Sequence, residues 1–497
     1  MISCPISRYA ESAPDEPAII TGERIYSYLH LNRIISSTAD HLKQKGVGKG
    51  ARAALVGLNS SEYIAVLWAL WRIGAVAVPI NFRFPSEYLK KVFQKTNISF
   101  AILNFPTFSY FRERLGIIAW EEIADGREQA CLFPGNHSKI NLENDAAIVL
   151  TSGSTCGEKA VLHTFANHYY NALGSNENIT LAPGDRWLLS LPLFHVGGLG
   201  ILFRCFLAGA AVVVPRESES FLESIEKYNV THVSLVSTQL YRLLQKKGEP
   251  RRTRRDAKKD KKLYTLKALL LGGSAFPVSL IRQAISSKLP IHITYGLTEM
   301  ASQVTTTPEH APLEKLLTSG KLLNYRSLKI DENNEICVKG KTLFKGYVEG
   351  QTLSRLFDPE GWFRTGDLGS MDAEGYLHVL GRRDNMFISG GENIMPEEIE
   401  MLLNQLPGVN QSIVVPMEDE TYGFRPAAFL KPEHASMVTK DEVLNPLQKH
   451  LPGFKIPDFF YLWPDVNGSG EKSVKVDRRY FQDLLKEPEG LTLLFRK

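Results

Sequence analysis

The stretch AIVLTSGSTCGEKAVLHT (147–164) sets Thr151, Ser152, Ser154 and Thr155 around Gly153 and Gly157 and follows them with Lys159. Hydroxyls and unhindered backbone N–H groups in a glycine loop suit an array of phosphate oxygens, and a nearby lysine adds a cation. The spacing is not G-x-x-x-x-G-K-[ST], the loop of P-loop nucleotide hydrolases and kinases. Here the lysine comes two residues after the second glycine, and Ala160 stands where that loop carries its magnesium-binding hydroxyl. A P-loop kinase or GTPase is therefore disfavoured.

Other stretches carry groups that suit the same ligand. YGLTE (295–299) closes an apolar run with Tyr295, Gly296, Thr298 and Glu299, and a carboxylate beside phosphates is a hard donor for a divalent cation. WFRTGDLG (362–369) sets Asp367 after a glycine, an acceptor fitted to sugar hydroxyls. GRRDNMFISGGENIMPEEIE (381–400) holds a charged turn with Arg382 and Asp384 and the pair Gly390 and Gly391. GSGEKSVKVDRR (468–479) is a glycine and serine loop bearing lysines. Taken singly, each has a plainer explanation: a turn, a bulge or an ordinary charged surface.

The elements that must position these groups alternate short apolar strands with amphipathic helices from about residue 17 to 240. RAALVGL (52–58), FAILN (100–104), AAIVLTS (146–152), AAVVVP (210–215) and HVSLVS (232–237) read as strands of a mainly parallel, helix-covered sheet. LKALLLGGS (266–274) and IHITYGLTE (291–299) continue the rhythm and end in glycines or hydroxyls, where open α/β sheets place ligand loops. Beyond about 320 the pattern becomes β-rich with Asn-Asn and Glu-Gly turns, and beyond Asp384 it reads as a small α+β unit. The expected fold is α/β: a large N-terminal domain (1–383) of helix-covered, mainly parallel sheets plus a β-rich subdomain, then a small mobile α+β C-terminal domain (384–497).

Composition bounds the function. With 497 residues, 43% hydrophobic and 23% charged, the chain has the make-up of a globular protein of two or three structural units. The N-terminus lacks the pattern of a signal peptide, and YIAVLWALWRIGAVAVPI (63–80), interrupted by Arg72 and ended by Pro79, fits a buried helix entering a strand rather than a membrane span. The five cysteines are scattered without a C-x-x-C pair, which indicates neither a disulfide framework nor a zinc site and fits a reducing cytoplasm. Net charge is +4, but KKGEPRRTRRDAKKDKK (246–262) alone contributes +7, leaving −3 for the rest. With no interleaved aromatic residue for base stacking, that run reads as a solvated insertion, and no nucleic acid is expected.

In order and spacing these motifs together resemble the ANL superfamily of adenylate-forming enzymes, over about residues 15 to 485. The resemblance implies two half-reactions: a carboxylate attacks the α-phosphate of ATP, and the thiol of CoA then displaces AMP from the acyl-adenylate. It assigns ATP contacts to Thr151, Ser152, Gly153, Ser154, Thr155, Lys159, Gly272, Gly273, Ser274, Tyr295, Gly296, Asp367 and Arg382. Thr298 and Glu299 join the catalytic residues, Glu299 as the Mg2+ ligand. The superfamily pattern G-K-[IL]-x-R sets the adenylation lysine three residues before an arginine, which Lys475 and Arg478 satisfy and Lys472 does not. Asp384 matches the hinge, and Gly390 and Gly391 the passage for the pantetheine arm of CoA.

The stretches WLLSLPLFHVGGLGILFRCFLAGA (187–210), HVSLVSTQLYRLL (232–244) and LKALLLGGSAFP (266–277) are more similar to the 2-succinylbenzoate–CoA ligases of menaquinone biosynthesis than to coumarate, acetate or fatty-acid ligases. That substrate has two carboxylates, and the ring carboxylate needs a cationic partner if it is buried as a spectator. Arg204, inside an apolar stretch, is the residue matched to that role, against a snorkelling or salt-bridged structural arginine. His195 matches the gate of the acyl pocket, and Ser302, Gln303 and Thr305 are pocket-lining candidates. Cys156, Glu158 and Ala160 depart from the superfamily loop, the first two in ways that would slow turnover. The resemblance is compatible with a homodimer. It leaves open a CoA ligase for another aryl or acyl acid, and a nucleotide-binding homologue without catalysis.

Overall fold

The computed structural model describes residues 1–82, 86–103, 116–119, 139–151, 159–248, 265–274, 276–389, 392–432, 438–464, 478–486 and 490–497. Helix Ser61–Ile73 shows how the centre is built. Ser60 caps it by accepting the Tyr63 N–H at 3.1 Å, and Gly74 ends it in the left-handed conformation at φ 75°. Between these stops nearly every side chain is buried, as a helix apolar all round requires. Arg72 is buried with no carboxylate partner among the described residues: its guanidinium donates to Asn32 Oδ1 (2.6 Å), Ser7 Oγ and Ser36 Oγ (both 3.1 Å). The run at 63–80 is thus a core helix followed by strand Val76–Ile80, and among the described residues no helix is long and apolar enough to cross a membrane.

Trp68 and Trp71 of this helix interlock with Phe165 and Phe203 from helices Phe165–Asn178 and Val196–Ala208, at ring separations of 5.0–5.9 Å. These helices form a shared layer, because the same apolar cluster takes in Ala53, Leu55, Ala77 and Val149 from one sheet and Trp187, Val212, Val214 and Leu270 from another. Among the described residues the first sheet has eight strands, parallel in its middle, and the second has nine. Their outer faces carry helix Ser86–Thr96 and helices Phe221–Lys227 and Val278–Ser286 respectively. The mixed α/β architecture is therefore one of helix layers between and outside two sheets.

Two departures from a purely parallel order matter for the site. Strands Asp145–Thr151 and Lys159–Thr164 are antiparallel neighbours with Thr151 opposite Lys159, so the residues flanking the glycine stretch face each other across one ladder. Strand Ile291–Leu297 runs parallel to Ala268–Leu271 on one side and antiparallel to Ser302–Thr306 on the other. The β-rich stretch forms a four-stranded antiparallel sheet, Arg326–Ile330, Glu335–Gly340, Phe363–Met371 and Leu377–Arg382, turning at Asn334 and Gly375 as the Asn-Asn and Glu-Gly pairs lead one to expect.

Past Asp384 a smaller sheet, Val409–Asp419, Gly423–Pro432, Phe459–Leu462 and Leu493–Arg496, packs helices Pro396–Leu403 and Lys440–His450 on its own core. Helix Pro396–Leu403 begins with proline and has no side-chain cap, whereas a capped start reads naturally from the sequence. The C-terminal stretch Leu493–Arg496 is the edge strand of this sheet, with Phe495 stacked on Phe460 at 4.7 Å.

Candidate functional site

The site assembles where strands of the second sheet end. Ala268–Leu271 runs into Gly272–Gly273–Ser274, and a Cβ at Gly272 would lie 2.6 Å from Thr294 Cγ2, so this glycine lets the turn lie against the strand that delivers Tyr295. That strand breaks register between Tyr295 and Gly296. A Cβ at Gly296 would fall 2.1 Å from the Ser302 carbonyl oxygen, so no side chain fits there. The chain then makes one short 3-10 turn, Thr298–Met300, and returns through Ala301 (φ 56°) and Ser302 (φ 134°). Two consecutive non-glycine residues in the left-handed half of conformational space mark a turn held by its surroundings. One holding contact is the buried His163 ring, whose Nε2 meets the Thr298 carbonyl at 2.7 Å.

Tyr295, Asp367 and Arg382 meet in one chain of bonds. The Tyr295 hydroxyl donates to Asp367 Oδ2 at 2.6 Å, and Arg382 Nη1 donates to Asp367 Oδ1 at 3.0 Å and to the Thr365 carbonyl at 3.2 Å. Asp367 and Arg382 face each other across neighbouring strands, and Arg382 Nη2 reaches Asp384 at 3.5 Å. Burial works against the Arg382 charge, but the Asp367 carboxylate more than offsets it and holds the guanidinium above its usual range. Burial, then Asp367, pushes the Tyr295 hydroxyl well above the usual phenol range, so it stays a donor. The result is a nearly buried carboxylate oriented by a phenol and a guanidinium, the arrangement that vicinal hydroxyls of a ribose would meet.

Glu299 and Lys159 are joined by a residue that sequence reasoning passed over. The Tyr347 hydroxyl donates to Glu299 Oε1 at 2.7 Å, and Lys159 Nζ lies 5.1 Å from the centre of the same ring. Glu335 was passed over as well. Fully buried, it accepts the Gly366 N–H at 2.9 Å and the Arg383 guanidinium at 2.7 Å, which fixes the turn before Asp367 to the charged turn at 383. The available signals were a Gly-Tyr pair and a lone glutamate in strand patterns, neither specific.

Arg204 is neither snorkelling nor salt-bridged among the described residues. Its side chain is 1% exposed, Nη1 donates to Gln303 Oε1 at 2.6 Å, and the guanidinium carbon sits 4.5 Å above the Trp187 ring. Among the described residues the buried Nε has no hydrogen-bond partner, and burial pushes the pKa down to about 10. A cation still charged at neutral pH is thus held by one amide and one aromatic face. The guanidinium folds back over Gly200, toward the helix end where exposed His195 is the N-cap residue and packs against Phe194 at 4.7 Å. Ser302 contributes its strained backbone. The hydroxyl of Thr305, expected at a pocket wall, is instead committed to the Ser319 carbonyl at 2.5 Å.

Ser152, Gly153, Ser154, Thr155, Cys156 and Glu158, the glycines Gly390 and Gly391, Lys472, Lys475 and the basic run at 249–262 lie outside the described residues. What is described is how they are bracketed: Thr151 and Lys159 pin both ends of the glycine loop, and Arg478 Nη2, three residues past Lys475, binds Glu400 at 3.0 Å and Glu397 at 3.3 Å on helix Pro396–Leu403.

The AMP-binding enzyme family matches residues 6–348, and the AMP-binding enzyme C-terminal domain matches residues 398–470. The 2-succinylbenzoate–CoA ligase of Bacillus licheniformis is 34% identical over 467 residues, covering 92% of this chain and 95% of that protein. A variant of E. coli MenE solved with bound OSB-AMS superposes with a TM-score of 0.81 at 30% identity, covering 98% of this chain and 99% of that one. The o-succinylbenzoate CoA synthetase of Bacillus subtilis in complex with the acyl-adenylate intermediate OSB-AMP gives 0.79 at 29% identity, covering 93% and 94%. The same B. subtilis enzyme in complex with ATP and magnesium ion gives 0.78 at 29%.

Proposed function

The chain belongs to the AMP-binding enzyme family, and we propose that it joins 2-succinylbenzoate to CoA at the expense of ATP, through an acyl-adenylate, in menaquinone biosynthesis. In the first step an oxygen of the succinyl carboxylate forms a bond to the α-phosphorus and pyrophosphate leaves. In the second, the CoA sulfur bonds to the acyl carbon, its proton is released, and AMP departs.

This chain's residues suit those steps. The Asp367 carboxylate, oriented by Tyr295 and Arg382, accepts the ribose hydroxyls, and Gly272, Gly273 and Ser274 lie beside the strand that carries Tyr295. The glycine loop from Thr151 to Lys159 holds the pyrophosphate side. Repulsion between two anions must be screened for the attack, and Lys475 is the cation assigned to the α-phosphate and carboxylate oxygens. Glu299 offers a single hard oxygen donor, which meets the demand of an Mg2+ ion whose other ligands are phosphates and waters. When bound, that ion neutralises charge on the phosphates. Thr298 stands beside Glu299 in the strained turn. Asp384 serves as the hinge, with the boundary of the C-terminal domain there, and Gly390 and Gly391 admit the pantetheine arm.

The observation that carries the choice of acid is Arg204: a charged guanidinium, 1% exposed, with no carboxylate partner among the described residues. Burying a cation without an anion is costly, and the ring carboxylate of a dicarboxylate supplies the missing charge. His195 and Ser302 complete the acid pocket. A cytoplasmic location suits free, buried Cys4, Cys205 and Cys337. Incubation with ATP, Mg2+, CoA and 2-succinylbenzoate tests the reading: AMP, pyrophosphate and the thioester are expected in equal amounts, and release of ADP and phosphate would refute it.

A further inference from the structure

Glu299 is held at two points by one short segment. The Phe344 N–H donates to the Glu299 carbonyl at 2.7 Å, and the Tyr347 hydroxyl donates to the Glu299 carboxylate at 2.7 Å. The segment itself is braced. Phe344 is buried against Phe357 and Phe363 at 5.4 and 5.2 Å, the Lys345 N–H donates to the Leu162 carbonyl at 2.8 Å, and Lys345 Nζ binds Asp145 at 2.7 Å. Strand Gly346–Glu349 then pairs with Lys159–Thr164, setting Tyr347 opposite Val161. Lys159, two residues before Val161, falls on the same side of the ladder, which brings Nζ to 5.1 Å from the centre of the Tyr347 ring.

A carboxylate only accepts hydrogen bonds, so the phenol is the donor and one oxygen of Glu299 is committed to it. Among the described residues no hydrogen bond reaches the other oxygen, which leaves that oxygen to a cation. The ring face meanwhile restrains the ammonium at one end of the glycine loop.

We propose that Tyr347 is the positioning residue of the nucleotide site, aiming the Glu299 carboxylate at the cation that accompanies ATP through its hydroxyl and fixing Lys159 toward the phosphates through its ring. This rests on the reading of the protein as an ATP-dependent ligase. The two halves separate by mutation. Tyr347→Phe removes the hydroxyl and keeps the ring, while Tyr347→Leu removes both.

Calorimetric binding of ATP to the whole protein, with Mg2+ or with excess chelator, is the test, with melting temperatures as a check on folding. Outer partners of metal ligands are worth about 10–100-fold in metal affinity. Tyr347→Phe is therefore expected to weaken binding of Mg2+-ATP by about tenfold or more and leave metal-free ATP within about twofold. In a Glu299→Ala background the same change is expected to have no further effect. Tyr347→Leu is expected to weaken metal-free ATP as well. Unchanged Mg2+-ATP binding in Tyr347→Phe, equal loss with and without the metal, or an undiminished effect in Glu299→Ala would overturn the role of the hydroxyl. Metal-free binding by Tyr347→Leu at the wild-type level would overturn that of the ring. Failure of the wild type to bind Mg2+-ATP would instead overturn the ligase reading.

Discussion

Replacing Arg204 by methionine separates a structural arginine from one kept for a substrate, because the two roles move stability and affinity differently. Burial lowers the Arg204 pKa from 12.5 to about 10, a cost of about 3 kcal/mol at neutral pH. The sign follows from the direction: a base with a depressed pKa destabilises the fold at every pH below the folded value, so the penalty is constant across pH 6–9. Methionine, similar in volume, removes it. The same change forfeits the charged hydrogen bond to Gln303, about 1.5–3 kcal/mol, and the contact with the Trp187 face, about 1 kcal/mol. The terms nearly cancel, and the ligand-free protein is expected to keep its stability to within about 1 kcal/mol in urea unfolding. The acid is affected quite differently. Losing the partner of a buried carboxylate costs about 2–5 kcal/mol, about 30-fold to several thousandfold in KM for 2-succinylbenzoate. An analogue that keeps the succinyl arm but lacks the ring carboxylate should lose little. Steady-state kinetics on both acids, alongside unfolding, gives the answer. Equal losses on the two acids, or an unchanged KM for the dicarboxylate, would return Arg204 to a purely structural role.

Three further outcomes are expected. Lys475→Ala should abolish formation of the acyl-adenylate while sparing thioester formation from supplied acyl-adenylate and CoA, as single-turnover assays of each half-reaction can establish; equal loss of both would contradict its assignment. Gly296→Ala, whose Cβ would lie 2.1 Å from the Ser302 carbonyl, should cost about 1–3 kcal/mol in unfolding experiments and reduce turnover at least tenfold. His163, buried and held at a pKa of about 4, contributes stability that is full above about pH 6.5 and lost as pH falls toward 4, about 3 kcal/mol at the acid end. His163→Gln keeps a donor toward the Thr298 carbonyl and should flatten that part of the acid unfolding profile, an acid limb as steep as the wild type's counting against it.

What was legible in the sequence followed the range of the interactions involved. Helix Ser61–Ile73 is written locally, with a serine before it, a glycine after it and apolar residues throughout, so its burial could be read without a partner. The meeting of Tyr295, Asp367 and Arg382 was prepared by motifs that each concentrate their polar groups in a few adjacent residues. Tyr347 and Glu335 were not legible, since the groups they serve lie 48 and 31 residues away and nothing in either strand announces the pairing. Arg204 stood out through its apolar neighbours, but that Gln303, 99 residues on, would be its side-chain acceptor required the packing of two helices on a strand. Thr305 misled for the same reason: a hydroxyl near a motif does not say whether a backbone carbonyl across the turn has already taken it. The terminal strand Leu493–Arg496 gave only an apolar pattern, and its place at a sheet edge comes from pairing with Phe459–Leu462.

Activation of the succinyl carboxylate of 2-succinylbenzoate as an adenylate can be measured by ATP–pyrophosphate exchange over a panel of acids with CoA absent. Rapid exchange is expected with 2-succinylbenzoate and far slower exchange with benzoates, coumarate and fatty acids. Exchange with one of those acids and none with 2-succinylbenzoate would contradict it.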